Sequence, residues 1–377
     1  MRTQAVVLRE MGLPRPYGDS RPLTVEELRL DAPGPGEALV RVRAAGLCHS
    51  DVSVIDGSRP RPMPMVLGHE ATGVVEALGS DALDVRVGDA VVFSFVPVCG
   101  RCTPCQSGRP ALCEAGARAN TAGELLSGAR RFRALDGSVY YHHLGVSGFS
   151  ELTVVSTASL VRIPADLPSE KAALFGCALV TGVGAVTNTA QVPAGSSVVV
   201  FGLGGVGLSA VMGARLVGAY PVIAVDPVAD KRELAARVGA DVTLPADDDA
   251  IERCRELTAG GADYVFEAVG SAAVLATAYA VTRRGGTTVS VGLPHPRQTL
   301  SVPAASLVAE ERRVIGSYMG SAVPRRDVPR LIALYQARRL PVDQLHSATI
   351  ALPDVNEAFE ALAAGRAVRQ VLRLADG

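Results

Sequence analysis

The sequence holds seven cysteines, six histidines and one glycine-rich turn, and chemistry is most readily sought among these. Cys99, Cys102, Cys105 and Cys113 fall in the stretch CGRCTPCQSGRPALC, with the spacing C-x2-C-x2-C-x7-C. Thiolates this close in sequence can converge on one tetrahedral zinc at about 2.3 Å, and four of them leave no coordination position open. Such a site is closed and structural. Gly100, Pro104, Gly108 and Pro110 between the ligands suit a tight, irregular lobe. An iron–sulfur cluster is the rival occupant, and buried free thiols are the plain alternative.

A reactive metal centre needs three protein ligands and one exchangeable position. GLCHSD offers Cys48, His49, Ser50 and Asp51, LGHEATG offers His69 and Glu70, and FGCALVTG offers Cys177. Cys48, His69 and Cys177 would supply two thiolates and one imidazole. Taken singly, each reads equally well as an ordinary core residue. A third constellation is the turn GLGGVG after the apolar run VVVF, with Gly202, Gly204 and Gly207 in a G-x-G-x-x-G. It follows a predicted strand and opens a predicted helix, the context a dinucleotide-binding turn requires. The first glycine permits the turn, the second lets backbone approach a pyrophosphate, and the third lets helix pack on sheet. The helix N-terminus then presents free N–H groups to the phosphates.

Asp226 closes the next predicted strand. A carboxylate there accepts from the adenosine ribose hydroxyls and repels a 2′-phosphate, so NAD is expected over NADP. Lys231 lies within reach of the same ribose. Gly205 and Val206 in the turn, with Val291 in TTVSVGL, complete the expected cofactor contacts from this region.

These residues need two kinds of scaffold. Residues 1–178 carry short β-like runs such as EALVRVRAAG, TGVVEALG and VGDAVVF, punctuated by Gly and Pro. They predict an antiparallel, partly barrelled domain. Residues 114–148 read as a long, polar, irregular surface insertion. From about residue 180, VVVF, PVIAVD, ADYVFEAVG, TTVSVGL and ERRVIGSYMG alternate with helical segments, which predicts βαβ units and a parallel sheet. LPDVNEAFEALAAGRAVRQVLRL reads as a helix with Asp354 at its N-cap and then a closing strand.

Composition narrows the partners. The net charge of −1 gives no electrostatic reason for a nucleic acid or an anionic membrane. All basic residues but Lys171 and Lys231 are arginines, which we read as genome composition. No signal-peptide core and no long uncharged apolar run is present, so a cytoplasmic protein is expected. In a reducing compartment the cysteines are expected to ligate metal or react rather than pair as disulfides. Cys254 is expected to be a buried thiol, and His142, His295 and His346 are expected to be structural.

Taken together, GLCHSD, GHE, the four-cysteine lobe, FGC and GLGGVG, in this order, resemble the zinc-dependent medium-chain alcohol dehydrogenases over nearly the whole chain. The 114–148 segment, ending in HHLGVSGFSE, is most similar to the long-loop branch, which includes the liver-type and glutathione-dependent formaldehyde-oxidising enzymes. The resemblance implies an α/β fold with a GroES-like antiparallel catalytic domain over 1–178 and 322–377. It implies a Rossmann doubly wound cofactor domain over 179–321. It makes Cys48, His69 and Cys177 the catalytic zinc ligands, and Ser50 the hydroxyl that bonds the substrate oxygen. Asp51 becomes the carboxylate that orients His69, and Glu70 sits behind the metal and helps ligands exchange. His49 and Arg369 fall where the cofactor pyrophosphate is contacted, and Phe95, His143 and Leu144 where the substrate channel is lined.

Two positions depart from the family pattern. Ser53 stands where the liver-type proton relay ends in a histidine, leaving water, Ser53 or His49 to release the proton. His143 stands where an aromatic or apolar residue is usual, which argues against a simple alkyl-chain substrate. The expected reaction is reversible hydride transfer from a primary or aromatic alcohol to NAD, in a homodimer with two zinc ions per chain, the strand in ERRVIGSYMG being the candidate pairing edge. Three other readings compete. One is a thiol-adduct formaldehyde dehydrogenase, with Arg118, Arg130, Arg131 and Arg133 as candidates for the thiol's carboxylates. The others are a non-catalytic NAD(H) sensor or scaffold and a zinc-free quinone or enoyl reductase, the last disfavoured by the cysteine lobe and Cys48.

Overall fold

The computed structural model describes residues 1–82 and 84–374. The chain forms two compact units, one of Met1–Cys177, Val323–Ile332 and the C-terminal segment from His346, the other of Ala178–Ala322 and Ala333–Leu345.

The first unit opens with β1 (Arg2–Leu8), β2 (Leu23–Leu30) and β3 (Glu37–Gly46), then α1 (His49–Ile55). β4 (Met65–Val66), β5 (Glu70–Leu78) and β6 (Ala90–Phe93) follow. Next come α2 (Glu114–Ala122), β7 (Phe132–Arg133), β8 (Val139–His142), β9 (Leu152–Ser156) and β10 (Leu160–Arg162). Strands β1, β2, β7, β8 and β4 close a small barrel around Ala5, Val7, Leu28, Leu30, Phe132 and Tyr140. In β1 the residues alternate between this core and a second one, which holds Val6 and Leu8. Both faces of the strand are therefore buried, and it reads as a continuous apolar run.

The segment 114–148 is not the irregular surface insertion its composition suggests. It contributes a helix and two strands, and Leu125, Phe132 and Tyr140 are buried in the barrel core. Two of its arginines are paired: Arg131 Nε bonds the buried Glu37 carboxylate at 2.8 Å, and Arg133 Nε bonds Asp31 at 2.8 Å. Strands of two and four residues are too short for alternation to show, so the segment looked polar.

In the second unit all six strands run parallel, in the order β13-β12-β11-β14-β15-β16. They are β11 (Val198–Phe201), β12 (Val222–Val225), β13 (Val242–Leu244), β14 (Ala262–Glu267), β15 (Thr282–Ser290) and β16 (Arg313–Gly316). Helix α3 (Gly205–Leu216) connects β11 to β12, and α4 (Ala229–Val238) connects β12 to β13. Order reverses at β11, the first strand, which is where an open α/β sheet leaves a crevice at its carboxyl ends. β11 and β12 are wholly buried and all apolar, as expected for a sheet covered on both faces.

The chain then returns to the first unit with β17 (His346–Ile350), α5 (Val355–Ala363) and β18 (Arg369–Arg373). β18 pairs with the end of β3, Val371 opposite Gly46. Asp354 occupies the N-cap position of α5, but its side chain makes no capping bond. Among the described residues, no single helix is long and apolar enough to cross a membrane.

Candidate active site

The register of two strands assembles the centre. Gly46, the last residue of β3, pairs with Glu70, the first of β5. Cys48 lies two residues past one strand end and His69 one residue before the other, so the pairing brings thiol and imidazole together. A Cβ at 46 would come within 2.8 Å of Glu70 Oε1, so a larger residue there would have to push the glutamate aside. Cys177 arrives from a distant segment. The 3₁₀ turn Ala173–Gly176 packs so closely on the end of β6 that a Cβ on Gly176 would lie 2.6 Å from the Phe93 carbonyl oxygen.

Donor atoms of Cys48, His69, Glu70 and Cys177 all lie within 4.8 Å of one another, and all four residues are buried. Two sulfurs and an imidazole at this separation match zinc's preferred donors. The charges are arranged accordingly. The Cys177 thiol, Arg369 and His69 hold Cys48 well below the usual thiol range, although burial opposes this. Cys177 is pushed up by that same thiolate and by burial. Burial depresses His69, but Asp51 and the Cys48 thiolate outweigh it and raise its pKa. Burial lifts Glu70 to about 7 despite Arg369 at 3.6 Å, and neither carboxylate oxygen has a hydrogen-bond partner. A cationic metal would relieve each of these strains at once.

Asp51, in the first turn of α1, is fully buried. Its Oδ2 accepts from the Cys48 backbone N–H at 3.1 Å, and its Oδ1 lies 3.1 Å from His69 Nδ1. It therefore caps the helix and orients the histidine, the plain role and the functional one together. With Nδ1 committed to Asp51, Nε2 is left for a ligand. Ser50 is half-buried, its Oγ 3.8 Å from Cys48 Sγ. The Ser53 hydroxyl donates to the His49 carbonyl at 3.0 Å, so it is engaged along its own helix, and His49 is exposed. The Phe95 ring meets His69 edge-on at 5.6 Å, and Leu144 is buried in a left-handed conformation at φ 50°.

Two contacts had no signal in the sequence. Arg369 donates from Nη1 to the Leu47 carbonyl at 2.8 Å beside Glu70, although 322 residues separate it from Leu47. His143 Nδ1 lies 3.1 Å from the same Asp51 Oδ1 that faces His69.

The four lobe cysteines also gather within 4.8 Å of one another, three of them partly exposed. Cys102 and Cys105 sulfurs are 3.4 Å apart, and Cys113 Sγ accepts from the Cys99 and Gly116 backbone N–H groups at 3.3 and 3.4 Å. A backbone hydrogen bond draws the Cys102 thiol down to about 6, while burial and the neighbouring thiols push Cys105 up to about 12. Four sulfurs at this separation could hold one cation. Cys254 is buried, and burial raises its thiol to about 11, consistent with an inert core residue.

In the second unit, Gly202 has φ 89°, and a Cβ on Gly207 would lie 1.7 Å from the Gly202 oxygen. A Cβ on Gly204 would meet nothing within 4 Å, which leaves space on that side of the turn. Gly205 and Val206 begin α3. Asp226 is buried past the end of β12, one oxygen accepting from Leu203 N–H in the turn at 2.8 Å and the other from Val228 N–H at 2.9 Å. A carboxylate has about four acceptor positions, so two remain for ribose hydroxyls. Lys231 is in the first turn of α4, and Val291 follows β15. These residues fit a dinucleotide.

Comparison with known proteins agrees with this geometry. The family descriptions "Alcohol dehydrogenase GroES-like domain" and "Zinc-binding dehydrogenase" match residues 34–165 and 205–337. The chain is 39% identical over 376 residues to the NDMA-dependent alcohol dehydrogenase of Amycolatopsis methanolica, covering 99% of each. It is 35% identical to the S-(hydroxymethyl)glutathione dehydrogenase of Paracoccus denitrificans, over 99% of this chain and 100% of that one. The crystal structure of benzyl alcohol dehydrogenase from Acinetobacter calcoaceticus superposes with a TM-score of 0.92 at 31% identity, covering 100% of both chains.

Proposed function

We propose, from the premise that this chain belongs to the zinc-dependent medium-chain alcohol dehydrogenase family, that it reversibly oxidises a primary or aromatic alcohol to the aldehyde with NAD. The observation that carries the reading is the buried convergence of Cys48, His69 and Cys177, with Ser50 beside them. Zinc, when bound, supplies the Lewis acidity that lets an alcohol part with its proton near neutral pH. NAD, when bound, supplies the hydride acceptor.

The chain's own residues do the rest. Cys48, His69 and Cys177 hold the ion, and Asp51 keeps the His69 ring in one orientation. Ser50 takes up the substrate proton and passes it outward. Because the Ser53 hydroxyl is bonded to the His49 carbonyl, the exit runs through solvent or the exposed His49. Glu70, free of hydrogen bonds and next to Arg369, helps ligands exchange. Gly202, Gly204, Gly205, Val206 and Gly207 cradle the pyrophosphate, and His49 and Arg369 are counted with the cofactor contacts. Asp226 and Lys231 hold the adenosine ribose and favour NAD over NADP, and Val291 is counted with the cofactor contacts. Phe95, His143 and Leu144 belong to the substrate side. Cys99, Cys102, Cys105 and Cys113 hold a second, structural zinc.

The assembly is read as a cytoplasmic homodimer. β16 is the sheet's edge strand, and Val308, Val314 and Tyr318 around it are exposed apolar residues that pairing of two edges would cover. Light scattering tests this directly.

The likeness to S-(hydroxymethyl)glutathione dehydrogenase supports a thiol-adduct reading as the second choice. Intramolecular pairing of three of the four candidate cations weighs against it: Arg130 with Glu124 and the Tyr141 ring, Arg131 with Glu37, and Arg133 with Asp31. Elemental analysis and a substrate panel read at the NADH absorbance test the proposal. Two zinc ions per chain and alcohol-dependent NADH formation are expected. Formaldehyde oxidised only with glutathione or mycothiol would favour the second reading. One zinc and no turnover would favour a non-catalytic NAD(H) sensor.

A further inference from the structure

Asp51 is an anion with no exposure, and a buried carboxylate is stable only when several donors reach it. The backbone N–H of Cys48 serves Oδ2, and His69 Nδ1 serves Oδ1, both at 3.1 Å. A third group faces it. His143 is 1% exposed, its Nδ1 is 3.1 Å from Asp51 Oδ1, and its ring stands at 89° to His69 with centroids 5.4 Å apart. That nitrogen is buried and, off the bonding line in this geometry, makes no hydrogen bond. Asp51 Oδ1 is the acceptor that distance offers it.

The backbone around His143 is built to hold this placement. β8 runs parallel to β4, with Val66 opposite His142, so the next residue lies alongside the run into His69. The His143 N–H donates to Ser147 Oγ at 3.0 Å, and that hydroxyl donates to the Val66 carbonyl at 2.9 Å.

We propose that His143 is a positioning residue of the metal centre: its Nδ1–H is the second imidazole donor to Asp51 Oδ1, bracing the carboxylate that orients His69. His143 then acts through Asp51 on the metal ligand, beyond lining the substrate side. The inference rests on reading Cys48, His69 and Cys177 as metal ligands.

The test separates the hydrogen bond from the ring. Phenylalanine keeps an aromatic ring and removes the donor. Asparagine places its amide nitrogen near the position of Nδ1, and glutamine places its own near Nε2. Wild type, His143→Phe, His143→Asn and His143→Gln are equilibrated with graded chelator, and retained zinc is counted, with the four-cysteine lobe as internal reference. The thiolate-to-metal absorption of the cobalt-substituted proteins is recorded alongside.

Metal affinity at the centre should fall about 10- to 100-fold in His143→Phe and His143→Gln, the usual effect of losing a partner behind a ligand. It should stay within a few-fold of wild type in His143→Asn, with the cobalt spectrum likewise preserved. Wild-type affinity in His143→Phe with loss in His143→Asn would assign a packing role and overturn the proposal. So would equal affinities in His143→Asn and His143→Gln, a comparison that stands even where the phenylalanine variant does not fold. If wild type and Cys48→Ser hold the same zinc, the ligand assignment itself fails. If only Cys48→Ser loses metal, the failure is confined to His143.

Discussion

Two clusters of sulfur donors in this molecule use the same ligand chemistry and receive it from the chain differently. The lobe takes four sulfurs from one short stretch, Cys99 to Cys113, and leaves three of them partly exposed. The centre takes Cys48, His69 and Cys177 from three segments and buries all of them. Behind the centre stand the carboxylate of Asp51, the carboxylate of Glu70 and the guanidinium of Arg369. In the lobe, backbone N–H groups of Cys99 and Gly116 support Cys113. Four local thiolates saturate an ion by themselves and stabilise the loop that carries them. Three distant donors would leave one corner of a tetrahedral ion open, and their protonation is governed by buried charges that the tertiary fold must supply.

The sharpest way to break this contrast is to remove one sulfur from each site. Cys48→Ser should lower turnover by about 1,000-fold or more, the scale of losing a principal electrostatic contributor. NADH binding, read by fluorescence titration, should survive, because the glycine turn and Asp226 belong to the other unit. An unchanged rate would mean that the two sites had been assigned wrongly. Cys102→Ser should act on stability instead. Loss of the lobe metal should lower soluble yield and reduce Tm by about 5–10 °C, corresponding to a few kcal/mol in a domain of this size. Folded material should keep most of its kcat, and scanning calorimetry with turnover on the same sample checks both.

Acid sharpens the comparison more gently. Metal binding requires deprotonated ligands, so affinity rises with pH at both sites. In the lobe four thiols are involved, and Cys105 in particular is held up to about 12 without metal. At the centre, Cys48 is already favoured as thiolate, and protons must leave chiefly from Cys177 and His69, both raised. With more thiols to protonate, the lobe should lose zinc with the steeper pH dependence in a titration from pH 8 to 5. A chromophoric chelator would show two phases, and Cys102→Ser should abolish the steeper one.

Legibility followed the range over which each pattern operates. The lobe spacing, GLGGVG after VVVF and the carboxylate at Asp226 are local, and the structure shows the same residues gathered in the same turn and cage. In the segment 114–148, Leu125, Phe132 and Tyr140 are scattered among glycines and arginines, so no local pattern marks them as core. What buries them is a barrel closed by β1, β2 and β4. The arginines there signalled a surface and instead bridge to Glu37 and Asp31.

By itself the sequence determined the donor types, the gathering of the four lobe cysteines, the parallel-sheet unit and the glycine turn, since each is encoded within a few tens of residues. Only the tertiary structure decided that Gly46 pairs with Glu70, that Arg369 stands beside that glutamate, and that two imidazole nitrogens lie 3.1 Å from one oxygen of Asp51. Strand register and the burial of charge depend on partners tens to hundreds of residues away. A carboxylate's neighbours are settled by packing, and no spacing along the chain records them.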